Sequence, residues 1–165
     1  DLEVPFINPG TGNTDEVDWE EWLFRSYLFW TPHDWLALSA EYQYEKFDRD
    51  KDFTAGVKDL DSHRVPLGIN FFHPSGISAS VKGTYFYQDG EFEQAPPPGN
   101  FESDDDSFWL VDAAISYRLP KRHGFISIGV KNLFDEEFHY EDTDVDNPAI
   151  QPDRAVFGKI TLAFP

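Results

Sequence analysis

Asp142, Asp144 and Asp146 stand at alternate positions, Asn147 follows, and Asp153 occupies the twelfth place counted from Asp142. Oxygen ligands at positions 1, 3, 5 and 12 are how a helix-flanked calcium loop wraps its ion, with glycine at position 6 for the sharp turn. Here Asn147 takes the glycine's place, an aspartate replaces the bidentate glutamate, and Pro148 stiffens the middle. The spacing admits weak calcium binding, although a solvated acidic loop needs no ligand at all. Asp104-Asp105-Asp106 is a charge run of the solvated kind. The histidines at 33, 63, 73, 123 and 139 are scattered, with no metal-ligand spacing. There is no cysteine, no Ser-His-Asp arrangement and no glycine-rich phosphate loop, so an enzyme is not expected and calcium is the only cofactor the residues admit.

The chain of 165 residues carries 31 acidic against 13 basic side chains, a formal charge of -18. A nucleic-acid partner is thereby excluded, because phosphate neutralisation needs a basic face. No apolar run approaches the ~18 residues of a membrane-spanning helix, and no signal peptide is present. Aromatics nevertheless make up 17% of a chain whose mean hydropathy is -0.52. That pairing fits a transmembrane β-barrel, where only every second residue meets lipid.

The elements that would position these residues follow period two. Trp22, Phe24, Ser26, Leu28 and Trp30 share one face, and after a turn at Thr31 to Asp34 so do Leu36, Leu38, Ala40, Tyr42 and Tyr44. A second pair sets Val65, Leu67, Ile69 and Phe71 against Ile77, Ala79, Val81, Tyr85 and Tyr87 across the turn His73-Pro74-Ser75-Gly76. A third joins Trp109, Val111, Ala113, Ile115 and Tyr117 to Ile126, Ile128 and Val130, and a last strand carries Val156, Ile160, Leu162 and Phe164. Between the pairs lie long acidic stretches, 48–61, 89–106 and 138–153, expected as solvent-facing loops. Short turns at one end and long loops at the other are how a transmembrane barrel is threaded. The expected fold is therefore all-β, an antiparallel transmembrane β-barrel with about 7–8 strands in this chain. The segment 1–7 falls short of the ~9–11 residues of a spanning strand, which marks the chain as part of a larger barrel.

Period alone does not say which face is inside; the side chains argue for lipid outside. Trp22, Trp30, Tyr42, Tyr44, Tyr85, Tyr87, Trp109 and Tyr117 lie near the ends of the apolar face, as interface girdles do. The opposite face carries Arg25, Glu41, Arg64, Lys82, Asp112, Arg118, Lys131 and Lys159. Unpaired charges cost several kcal/mol in a dry core, so a wet lumen suits them better than the interior of a soluble β-barrel or sandwich, the competing fold.

The stretch 128–164 resembles the C-terminal end of TonB-dependent outer-membrane receptors. The matching pieces are Asn132-Leu133-Phe134-Asp135 followed by Phe138, then Pro152-Asp153-Arg154, then an alternating strand closing on Phe164. The resemblance is good over roughly the last third and is a general barrel pattern before it. It implies residues 1–165 to be the C-terminal portion of a barrel in the outer membrane of a Gram-negative bacterium, with no plug domain in this chain. The implied partners are outer-membrane lipid, the rest of the barrel and its plug, TonB, and the barrel-assembly machinery. Val156, Ile160, Leu162 and Phe164 would face lipid and serve as the assembly signal. Pro165 departs from the family, which ends on the aromatic. Two other readings share the pattern: the barrel end of an export or diffusion porin, and a complete small structural or adhesive barrel of eight strands. For the acidic loop, titration calorimetry of the chain with calcium is expected to give weak heat that Asp144→Ala abolishes; identical traces would remove calcium from consideration.

Overall fold

The computed structural model describes residues 2–7, 12–49, 57–93, 101–138 and 153–163. Eight strands follow in chain order: β1 (Leu2–Ile7), β2 (Thr14–His33), β3 (Leu36–Arg49), β4 (Val57–Phe72), β5 (Ile77–Glu93), β6 (Phe101–Arg118), β7 (Gly124–Lys131) and β8 (Ala155–Leu162), with one 3-10 turn at Pro120–Arg122. Each strand pairs antiparallel with its sequence neighbour, giving the order β1-β2-β3-β4-β5-β6-β7-β8 with no crossover. Among the described residues no pairing joins β1 to β8, so the sheet is open. The all-β antiparallel expectation holds; closure into a barrel is not a property of this sheet by itself.

The register keeps one set of side chains together from β2 to β8. Cross-strand partners point to the same side of an antiparallel sheet. Leu28 faces Ala40, Ala40 faces Leu67, Leu67 faces Gly83, Gly83 faces Val111. One row on, Trp30 leads through Leu38, Ile69, Val81 and Ala113 to Val130 and Val156. All the apolar residues grouped from the sequence on β2 to β8 thus fall on one side, here called the outer face, and most of the large ones are exposed.

The buried side chains are on the other side. Phe47, Val57 and Leu60 form one cluster at the loop end, with Trp19 packed against it at 5.6 Å from the Phe47 ring. Phe86, Phe108 and Leu110 form a second, nearer the middle. A one-layer sheet buries side chains by curling around them, so this is the inner face.

Two boundaries differ from the sequence expectation. Much of the acidic stretches 48–61 and 89–106 is strand: Asp59, Asp61, Asp89, Glu91 and Asp104 to Asp106 all stand on paired backbone. The reason lies on the inner face, where Phe47 pairs with Leu60 and Val57 joins them across a register shift, while Asp48, Asp59 and Asp61 stand on the opposite face. In the β2–β3 hairpin the turn is Asp34-Trp35, because Thr31 to His33 extend β2 past an irregular pairing between Trp30 and His33.

At the β6–β7 turn, Gly124 has φ +136 and a Cβ there would run into the Thr161 carbonyl on β8. No L side chain adopts that backbone comfortably. Gly124→Ala is expected to cost at least about 2 kcal/mol, read as a lowered midpoint of denaturant unfolding followed by strand circular dichroism.

Candidate functional site

The outer face is layered along the strands. Midway up lies an aliphatic zone of Leu28, Leu38, Leu67, Ile69, Val81 and Val111. Toward the short turns it ends in Phe71 and Tyr117, with the Trp35 ring 5.4 Å from Phe71, and Trp30 stands level with Leu38, Ile69 and Val81. Toward the loops it ends in a band of rings. Tyr85 lies 5.3 Å from Trp109, and His63 lies 4.9 Å from Tyr44 and 5.8 Å from Tyr87. The Tyr42 hydroxyl and His63 Nδ1 are 2.9 Å apart, so these two polar tips partner each other. From His63 to Phe71 the strand rises roughly 27 Å.

Beyond the rings the same face turns acidic. Asp61 faces Asp89, and Asp89 faces Asp105. Tyr44 donates its hydroxyl proton to Asp61 at 2.6 Å, and Tyr87 donates to Asp89 at 3.3 Å. Lys58 pairs with Glu91 at 3.0 Å. Burial holds the Asp59 carboxyl above the usual carboxylate range; Asp61 and Asp48 add to the rise while Lys46 opposes it.

The inner face mixes charge with aromatic packing. Arg25 donates to Glu41, which also accepts from the Gln43 amide. The Arg64 guanidinium lies 5.2 Å over the Phe86 ring. Phe86 stacks on Phe108 at 5.0 Å, and Phe108 stacks on Phe138 at 4.6 Å. Arg64, Phe86, Phe108 and Phe138 form a continuous column from β4 to the segment after β7.

The motif Asn132 to Asp135 explains how Phe138 gets there. Asn132 is buried, with φ +47, and its amide makes two bonds to the Glu136 backbone, donating to the carbonyl and accepting from the N–H, both at 2.9 Å. Its own N–H donates to Asp112 at 3.0 Å. Asp135, at φ +61, accepts from the Arg154 backbone and pairs with its guanidinium at 3.1 Å. The chain leaving β7 is thereby folded back over β6 and tied to the start of β8. Leu133 and Phe134 are exposed beside it.

The other sequence-derived residues are placed as follows. Trp22, Trp30, Tyr42, Tyr44, Tyr85, Tyr87, Trp109 and Tyr117 share the outer face, as do Val156, Ile160 and Leu162. Arg25, Glu41, Arg64, Lys82, Asp112, Arg118, Lys131 and Lys159 share the inner face. Phe164 and the calcium candidates Asp142, Asp144 and Asp146 lie outside the described residues; Asp153 is described and exposed. Among the described residues no cluster of His, Asp and Glu has the geometry of a metal site. Sequence reasoning passed over Phe86, Phe108 and Leu110, because an apolar residue on a face reckoned polar breaks the pattern being sought. Their spacing at every second position on that face was the available signal.

The chain matches no family model, no curated protein and no solved structure.

Asp59 gives the loop end a pH dependence. Its folded pKa is above the unfolded value, so between the two the folded chain holds more protons and stability falls as pH rises through that window. Asp59→Asn is expected to raise the thermal midpoint at neutral pH and to flatten this slope; an unchanged slope between wild type and variant would refute the assignment.

Proposed function

We propose that this chain is wall of an outer-membrane β-barrel with a transport role, of the TonB-dependent receptor type. The observation that carries the proposal is the outer face: an apolar zone held in register from β2 to β8, bordered by rings at both ends and covered by nothing among the described residues. Exposed apolar surface of this extent on a soluble protein would drive association. Lipid accepts such a face where the ladder pairs its backbone; among the described residues β2 from Glu20 onward and β8 each keep one unpaired edge, which further wall would have to cover. The inner face supports the same reading, since Arg25, Glu41, Lys82 and Asp112 belong beside water.

The receptor type rests on the resemblance of 128–164, and the clip built by Asn132, Asp135 and Arg154 gives that motif a physical role. It anchors both roots of the last long connection on the wall. In this reading the acidic strand extensions stand above the membrane on the outer side, the short turns below it, and Val156, Ile160 and Leu162 meet acyl chains.

The test is a charge on the lipid side. Leu67→Lys is expected to destabilise the chain folded into phospholipid bilayers by about 2–4 kcal/mol, the depth-dependent cost of a midplane lysine on a barrel wall. A soluble sheet would register almost nothing from a lysine at a position already 44% exposed. Equal unfolding midpoints, or a wild-type chain that stays dispersed and folded without detergent, would overturn the proposal.

A further inference from the structure

The chain is strongly acidic, yet its charges are sorted. One inner-face row runs Leu23, Glu45, Ser62, Gln88, Asp106 across β2 to β6. Beyond that row, toward the short turns, the described strands carry on their inner face Arg25, Arg64, Lys82, Arg118, Lys131 and Lys159 but only two carboxylates, Glu41 and Asp112. Both carboxylates are engaged, Glu41 with Arg25 and Gln43, Asp112 with the Asn132 N–H. Lys82 stands directly opposite Asp112 across the β5–β6 ladder, and no ion pair within bonding distance joins them. In a chain with more than twice as many acids as bases, a random scatter of charge would not leave this surface basic.

Lys82 borders a recess of about 330 Å³. Its floor is made of small side chains on adjacent strands, Ser39, Gly68 and Ser80, with Gly68 facing both Ser39 and Lys82, and Glu41, whose carboxylate is held by Arg25, also lines it. A Cβ at position 68 would strike the Ser39 hydroxyl, so the depth of the recess depends on that glycine. Asn70 adds an amide to the wall, and Phe29 presents a ring that is 72% exposed.

We infer that this recess is a binding seat for a small organic anion, its carboxylate or phosphate on Lys82 and its apolar body against Phe29. Ser39, Ser80 and Asn70 supply neutral donors for the remaining anion oxygens. Charge-assisted bonds to such a group are the strong ones, and the aromatic wall contributes apolar area without competing for the charge. The seat uses the inner face alone and does not depend on what covers the outer one.

The test uses the full chain folded in detergent micelles and phenyl phosphate as probe, followed by calorimetry and phosphorus NMR. Phenyl phosphate is expected to bind and phenol is not. Lys82→Gln should weaken phenyl phosphate at least tenfold. Phe29→Ala should weaken phenyl phosphate several-fold while leaving inorganic phosphate unchanged. Lys159→Gln, several rows nearer the short turns, should change neither, and circular dichroism confirms strand content in each variant. Equal binding by Lys82→Gln, equal binding of phenol, or no binding by a folded wild type would overturn the inference; the last result would assign the basic face to an acidic protein segment instead. If the membrane reading fails and the chain folds in buffer, the same titration in buffer still decides this one.

Discussion

The whole arrangement depends on pairing parity. In an antiparallel ladder, partners share a face, and a slip by one residue transfers an entire strand's side chains to the other side. From β2 to β8 the register holds the same parity through six interfaces. That consistency is what converts scattered alternating segments into one apolar surface and one charged surface. Irregular pairing is confined to the margins, at Trp30 to His33 near a turn and Val57 to Asp59 near a loop. The apolar zone between them is uninterrupted.

Two inner-face devices add to the ladder where hydrogen bonds alone would leave the sheet a bare ribbon. The column of Arg64, Phe86, Phe108 and Phe138 ties three strands to a connection, and ring pairs of this kind contribute about 0.5–1.5 kcal/mol each beyond their buried area. The Asn132 clip satisfies four backbone or side-chain groups within one turn. Its backbone lies in the left-handed region, where asparagine is better tolerated than most residues. Together they hold the short strands β7 and β8 to the long strand β6.

Period two made the faces legible in the sequence. The turn at His73 to Gly76 and the Asn132 motif announced themselves by residue type. The strand ends did not. Between Asp48 and Asp61, charge density resembled a loop, while the residues that kept the chain extended, Phe47, Val57 and Leu60, looked too sparse to count. Phe86 and Phe108 were hidden for the converse reason: they alternate correctly, but on the face that charges had already marked as wet. The recess beside Lys82 was beyond reach, because its depth comes from Ser39, Gly68 and Ser80, which lie far apart in sequence and meet only through pairing. Small residues carry no pattern of their own.

The sorting of charge along the strands also bears on how the wall we propose would enter a membrane. The paired extensions above the ring band carry carboxylates at fixed heights on rigid backbone, whereas the opposite end closes in hairpins with few acids. Moving the acidic ends through hydrocarbon would demand the desolvation or protonation of many carboxylates at once; letting them stay where they begin demands neither. A sheet built this way has a leading edge and a trailing edge. On the proposal made above, its orientation would follow from the cost of passage alone.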